Sequence, residues 1–334
     1  MQVVAVHIHS GGSAQLYNSS IHGAHIGVQL STGASANVHK CEVLECRSSC
    51  VSVQGGATGR ITDSKLASSQ KSHGLAVEGT GSQVEAANCR LLNNAETGAY
   101  ACDGASLTAD ALTTEGNRFS ACTVTKNAEM TLTQLACMRD RRGLLSTLGG
   151  KLTVHRGVVS NCVEEACALW DNSFAKLVDL KLTHCGTQGL RAHKGARVEL
   201  EGCVISYTQK GCLWLDDARG TLARCVVERS QEKHGVAVCG AGARLDARDC
   251  LFQNHSQNGV FACSDAQVLL RGCHSERSGV NCFRAESNAR IMLGRLHEKE
   301  CTWDQATGYT GYSGGVVAVE PVRAVSEQAQ FPLV

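Results

Sequence analysis

Asp171, His193, Asp216 and Asp217 are the residues whose types and spacing could carry chemistry. Asp171 and Asp216 lie 45 residues apart, and a pair of carboxylates is what glycoside hydrolysis requires, one protonating the leaving oxygen while the other activates water or attacks. His193 adds a side chain that exchanges protons near neutral pH. Arg191, Trp214 and Phe261, with Tyr100 further upstream, offer a cation and aromatic rings of the kind that anchor a bound partner. A plainer reading stands beside these: charged residues at solvent-facing turns keep a repetitive protein soluble. The choice depends on the elements that position these residues.

Those elements repeat. GLRAHKGARVELEGCVISYTQK from Gly189, GCLWLDDARGTLARCVVERSQEK from Gly211 and HGVAVCGAGARLDARDCLFQNHSQN from His234 share one frame. Gly27, Gly74, Gly98, Gly189, Gly211, Gly235 and Gly259 fall in one column, with gaps of 47, 24, 91, 22, 24 and 24. Each repeat holds an alternating apolar stretch, such as Leu213 and Leu215 or Val236 and Val238, and this period of two is a strand. A Gly-rich or Ala-rich turn follows, then a second period-two stretch, such as Val198, Leu200, Cys203 and Ile205, which is a strand or a bent pair. No repeat contains the 3.6-residue periodicity of a helix, so coils must stack directly on one another as parallel strands.

The expected fold is all-β: a single-stranded right-handed parallel β-helix of about 13 coils, 21–25 residues each. Residues 1–302 form the solenoid, and residues 303–334 supply a last coil or cap containing Gly315–Val319, then a tail from Ser326 to Val334. Both prolines, Pro321 and Pro332, fall after the repeats, as a ladder using every backbone N–H requires. Leucine-rich repeats have a similar period. Their apolar residue comes three after the Asn or Cys, however, whereas here it comes two after, as from Cys203 to Ile205.

The pattern resembles the parallel β-helix repeat of the pectin-lyase-like superfamily, most closely its intracellular branch in some F-box proteins, where HGV or NGV opens a coil as at His234 and Asn258. That superfamily also contains pectate lyases, polygalacturonases and alginate epimerases, so the resemblance speaks for fold more than for function. His22, His73 and His234 each precede Gly, similar to a polygalacturonase motif, but their recurrence at the coil start reads as a turn feature. The Asn-Thr-Asp and Arg-Ile-Lys motifs of that family are absent, and no triple-carboxylate cluster suggests calcium.

Composition narrows the partners. With 32 Lys plus Arg against 31 Asp plus Glu there is no basic field for nucleic acid, and no apolar run long enough to span a membrane as a helix. The 19 cysteines include no CxxC pair; Cys41, Cys89, Cys203, Cys225, Cys250 and Cys273 share an inward position and read as buried free thiols. Free thiols and the lack of a secretory leader lead to the expectation of an intracellular protein, with no cofactor or metal and with unpaired strand edges inviting end-to-end association. The leading expectation is a non-catalytic interaction scaffold binding a protein or peptide along Arg191, Trp214, Phe261 and Tyr100. The alternative is a carbohydrate-active enzyme, a lyase or glycoside hydrolase of uronic-acid polymers, using Asp171, His193 and Asp216 or Asp217.

Overall fold

The computed structural model describes residues 3–294, 302–303 and 308–319. Among them there is no helix: 38 strands form one 14-stranded sheet and one 24-stranded sheet, every pairing parallel. Each coil gives one strand to the first sheet and two to the second, so the period-two stretch through the Cys is a bent pair. With rungs about 4.8 Å apart, 14 strands span about 60 Å.

Local chemistry sets the bends. The first strand leaves through two consecutive residues in the left-handed region, such as Asp171 (φ 53°) and Asn172 (φ 60°), which is why Gly, Asn and Asp crowd this turn. A single left-handed residue, such as Lys40 or Asp63, makes the next corner. In three coils that corner flattens and the two strands run together, as in Lys151–Ser160, bent at Arg156 (φ 59°).

The core is a column of stacked apolar side chains inside the coil. Leu190, Leu213, Val236 and Val260 occupy successive rungs, each at most 1% exposed. Cys41, Cys89, Cys203, Cys225, Cys250 and Cys273 are buried with them, and burial pushes the neighbouring Cys212 thiol up to about 12.

Two cysteines depart from the expectation of free thiols. Cys239 and Cys263 form a disulfide between adjacent rungs, with Cα atoms 4.7 Å apart. They belong to an outward column rather than to the inward ladder, and at this spacing neighbouring rungs can be bridged.

Strands Tyr309–Tyr312 and Val316–Val319 pair with Phe283–Glu286 and Arg290–Gly294. The expected tail, Ser326–Val334, lies outside the described residues.

Candidate functional site

The outer face of the 14-stranded sheet carries two columns of outward side chains. One runs Leu145, Ala168, Arg191, Trp214, Ala237 and Phe261 on successive rungs. The other runs His193, Asp216, Cys239 and Cys263. Trp170, whose register the sequence leaves open between inward and outward, follows Leu169, the partner of Ala192, and so joins this second column beside His193. The two rings lie 5.6 Å apart at a 50° tilt. Arg191, His193, Trp214 and Asp216 thus meet as a two-by-two block on adjacent rungs, with Trp170 at its edge.

The surroundings of this block are partly closed. The Arg142 guanidinium lies 5.4 Å from the Trp170 ring and 5.8 Å from the Phe119 ring, and pairs with Glu165 at 3.0 Å and with Glu164. This layer accounts for the burial of Leu145 and Ala168 although their register points them outward. Sequence reasoning missed Arg142; its signal was the acidic pair Glu164–Glu165 one coil later.

Within the block the charges are available. Neither Arg191 nor Asp216 makes an ion pair among the described residues, and the buried Arg191 Nε has no hydrogen-bond partner, nor has Trp170 Nε1. Burial, and then the nearby Arg191 and Lys194 cations, hold the His193 imidazole below its ordinary value against the opposing pull of Asp171 and Asp216. At neutral pH it is an uncharged base.

The other candidate carboxylates are occupied differently. Asp171 and Asp217 sit in the left-handed turn residues, at φ 53° and 48°. Lys194 Nζ lies 3.6 Å from Asp171 Oδ1, and Asp217 Oδ1 accepts a hydrogen bond from Gly242 N at 3.1 Å. Only Asp216 of the three stands on the strand face beside His193.

Tyr100 lies four rungs from Arg191, about 19 Å along the rod, and its ring stacks on His73 at 4.3 Å. Phe261 is two rungs beyond Trp214 and stacks on His234 at 4.4 Å. Burial pushes both of these imidazoles down to about 4. The His of two His–Gly pairs are therefore neutral ring partners of outward aromatics, while His22 is exposed and hydrogen-bonded to Ser20.

The family described as right handed beta helix region matches residues 1–178 and 166–312, and the chain belongs to it. No curated protein matches the chain in sequence. Among solved structures it is similar to the mannuronan C-5 epimerase AlgE6 A-module of Azotobacter vinelandii, with a TM-score of 0.48 and 10% identity over 94% of this chain and 92% of that one. It is also similar to pectate lyase Pel9A, with a TM-score of 0.44 and 9% identity over 75% and 69%. A third is the tailspike protein 2 of Escherichia coli O157:H7 bacteriophage CAB120, with a TM-score of 0.43 and 10% identity; 86% of this chain spans 38% of that one. The expectation of a non-catalytic protein-binding module along Arg191, Trp214, Phe261 and Tyr100 is corrected by the geometry of that strip. The geometry gives a physical reason: two of the aromatics assigned to partner recognition, Tyr100 and Phe261, already have a ring face covered by histidine. At such low identity the likeness concerns the fold alone, so a carbohydrate reading has to rest on this chain's own residues.

Proposed function

We propose that the chain engages an acidic polysaccharide across Arg191, His193, Trp214 and Asp216 and cleaves it as a uronate lyase. The observation that carries this reading is a guanidinium, unpaired among the described residues, two residues from an uncharged imidazole on the same strand, with a half-buried indole and a carboxylate on the next rung. A uronate carboxylate paired with Arg191 loses the charge that opposes removal of the hydrogen on its adjacent carbon. His193 takes that proton, the carbon–oxygen bond to the next sugar breaks, a carbon–carbon double bond forms, and the departing oxygen is protonated from water. The Trp214 ring supports the apolar face of a sugar, and Asp216 accepts its hydroxyl hydrogens. Hydrolysis is less well served, because Asp171 and Asp217 are tied into turns.

The test is incubation with polygalacturonate, alginate and hyaluronan, following the ultraviolet absorbance of unsaturated ends. His193→Ala and Arg191→Ala should each lower the rate about 100-fold or more, while Asp171→Asn leaves it largely intact. Absence of unsaturated product from every polymer, or cleavage indifferent to both variants, overturns the reading.

A further inference from the structure

A second face of the rod carries a polar trough that the strip above does not use. It lies over the outward side chains of strands Ser13–Tyr17, Ser35–His39, Thr58–Thr62 and Gln83–Ala87, which stack in register. Two adjoining hollows of about 510 and 320 Å³ share Asn37 and Arg60. Ser35, Thr58 and Ala87 are short, and this leaves the space between the longer side chains.

The lining is partly fixed and partly free. Tyr17 is 50% exposed, with its ring edge-on to His39 at 5.9 Å. His39 Nδ1 lies 2.8 Å from Thr62 Oγ1 and 3.4 Å from Asp63 Oδ2, and Asn88 Nδ2 donates to Asp63 Oδ1 at 3.1 Å. The Asp63 carboxylate is thus gripped from the rungs on both sides. Arg60 and Glu85, by contrast, make no ion pair among the described residues, and the Asn37 side chain makes no hydrogen bond among them.

We propose that this trough is a binding site for a neutral oligosaccharide, separate from the strip on the other sheet. A sugar ring presents an apolar C–H face and a rim of hydroxyls. Tyr17 meets the first, while Asp63 and Glu85 accept from the second and Arg60 and Asn37 donate to it. Charge selects the class: Arg60 is set against two carboxylates, so nothing here favours an anion, whereas Arg191 on the strip faces no such excess. A span of four rungs, about 14 Å, fits several sugar units rather than one.

Calorimetric titration of the chain with cellohexaose, mannohexaose and xylohexaose, with an oligogalacturonate as the charged control, tests this. At least one neutral hexaose should bind with a saturable isotherm. Affinity should fall about tenfold or more in Tyr17→Ala and in the double variant Asn37→Ala/Arg60→Ala, and stay unchanged in Trp214→Ala. Unaltered thermal unfolding of the variants shows that the loss is local. The proposal is overturned if no neutral hexaose binds, if binding survives both trough variants, or if it is lost in Trp214→Ala. Cleavage of uronates at the strip is unaffected by any of these outcomes.

Discussion

The turn that returns each coil to the 14-stranded sheet is filled in two different ways along the rod. In the upstream part a buried Cys46 is followed by Ser69, Asn94, Asn117 and Asp140, and these four form a relay. Asn94 Nδ2 donates to Asn117 Oδ1 at 2.9 Å, Asn117 Nδ2 donates to Asp140 Oδ1 at 2.8 Å, and Asp140 also accepts from Thr114 Oγ1 and Cys137 Sγ. In the downstream part the same position holds Cys162, Cys185, Thr208, Ser230, His255 and Ser278. There the relay breaks: Ser230 Oγ reaches His255 Nδ1 at 3.0 Å, but His255 Nε2 and Ser278 Oγ have no partner among the described residues. A stacked rung geometry accepts either a chain of amides, each satisfying the next, or small and ring side chains that fill space. The first couples coils through polar bonds, the second through packing.

Acid should separate the two parts most strongly. His73 and His255 are held down to about 4 by burial, from an ordinary value near 6.5, as is His234. These histidines bind protons in the unfolded chain before the folded one, so the stability they give is complete above pH 6.5 and is lost as pH falls towards 4. Between pH 7 and 5 the loss from His234 and His255, both in the downstream part, is on the order of 4 kcal/mol, about twice that from His73 upstream, and chemical denaturation across that range should show it. Replacing His255 by Ser, the residue found at Ser230 and Ser278, should remove about one proton from the pH slope. Asp140 acts in the opposite sense: burial raises its carboxyl pKa despite its four hydrogen-bond donors, so its contribution improves as pH falls.

Asn117→Leu should come next, at about 3 kcal/mol, because it strips partners from Asn94 and from Leu91 O inside the rod. Gly98→Ala would place a Cβ 2.7 Å from Ala121 O and 3.0 Å from Asn117 Nδ2, costing about 2 kcal/mol and disturbing the same relay. Cys185→Ala, in the downstream part, should cost only about 1 kcal/mol, since it removes packing and leaves no amide relay broken. Equal losses from Asn117→Leu and Cys185→Ala in urea unfolding would mean that the relay adds nothing beyond packing.

The legible part of the fold and the illegible part of the site differ for one reason, the length scale of the cause. The columns through Gly27, Gly189 and Gly259 were visible because each coil repeats one local pattern, and a close neighbour forbids a side chain at each: a Cβ at residue 189 would stand far inside van der Waals contact with Ile205 Cγ2. His193 and Asp216 could be set on adjacent rungs from the repeat alone. The register of Trp170, the covering of Tyr100 by His73, and the reach of Arg142 to two aromatic rings could not, since each depends on where long side chains lie across several rungs. Cys239 and Cys263 show the same limit, because spacing made a bridge conceivable without deciding it.

By itself, the sequence determined a coil of two dozen residues, parallel stacking and an inward column of apolar and thiol groups, because period-two alternation and a helix-free repeat leave one way to bury the core. Tertiary structure alone decided which outward residues share a surface with their charges free. Among the described residues Arg191 and Asp216 stand unpaired while Asp171 and Asp217 are spent on turns, and that distinction arises only when neighbouring coils compete for the same hydrogen bonds.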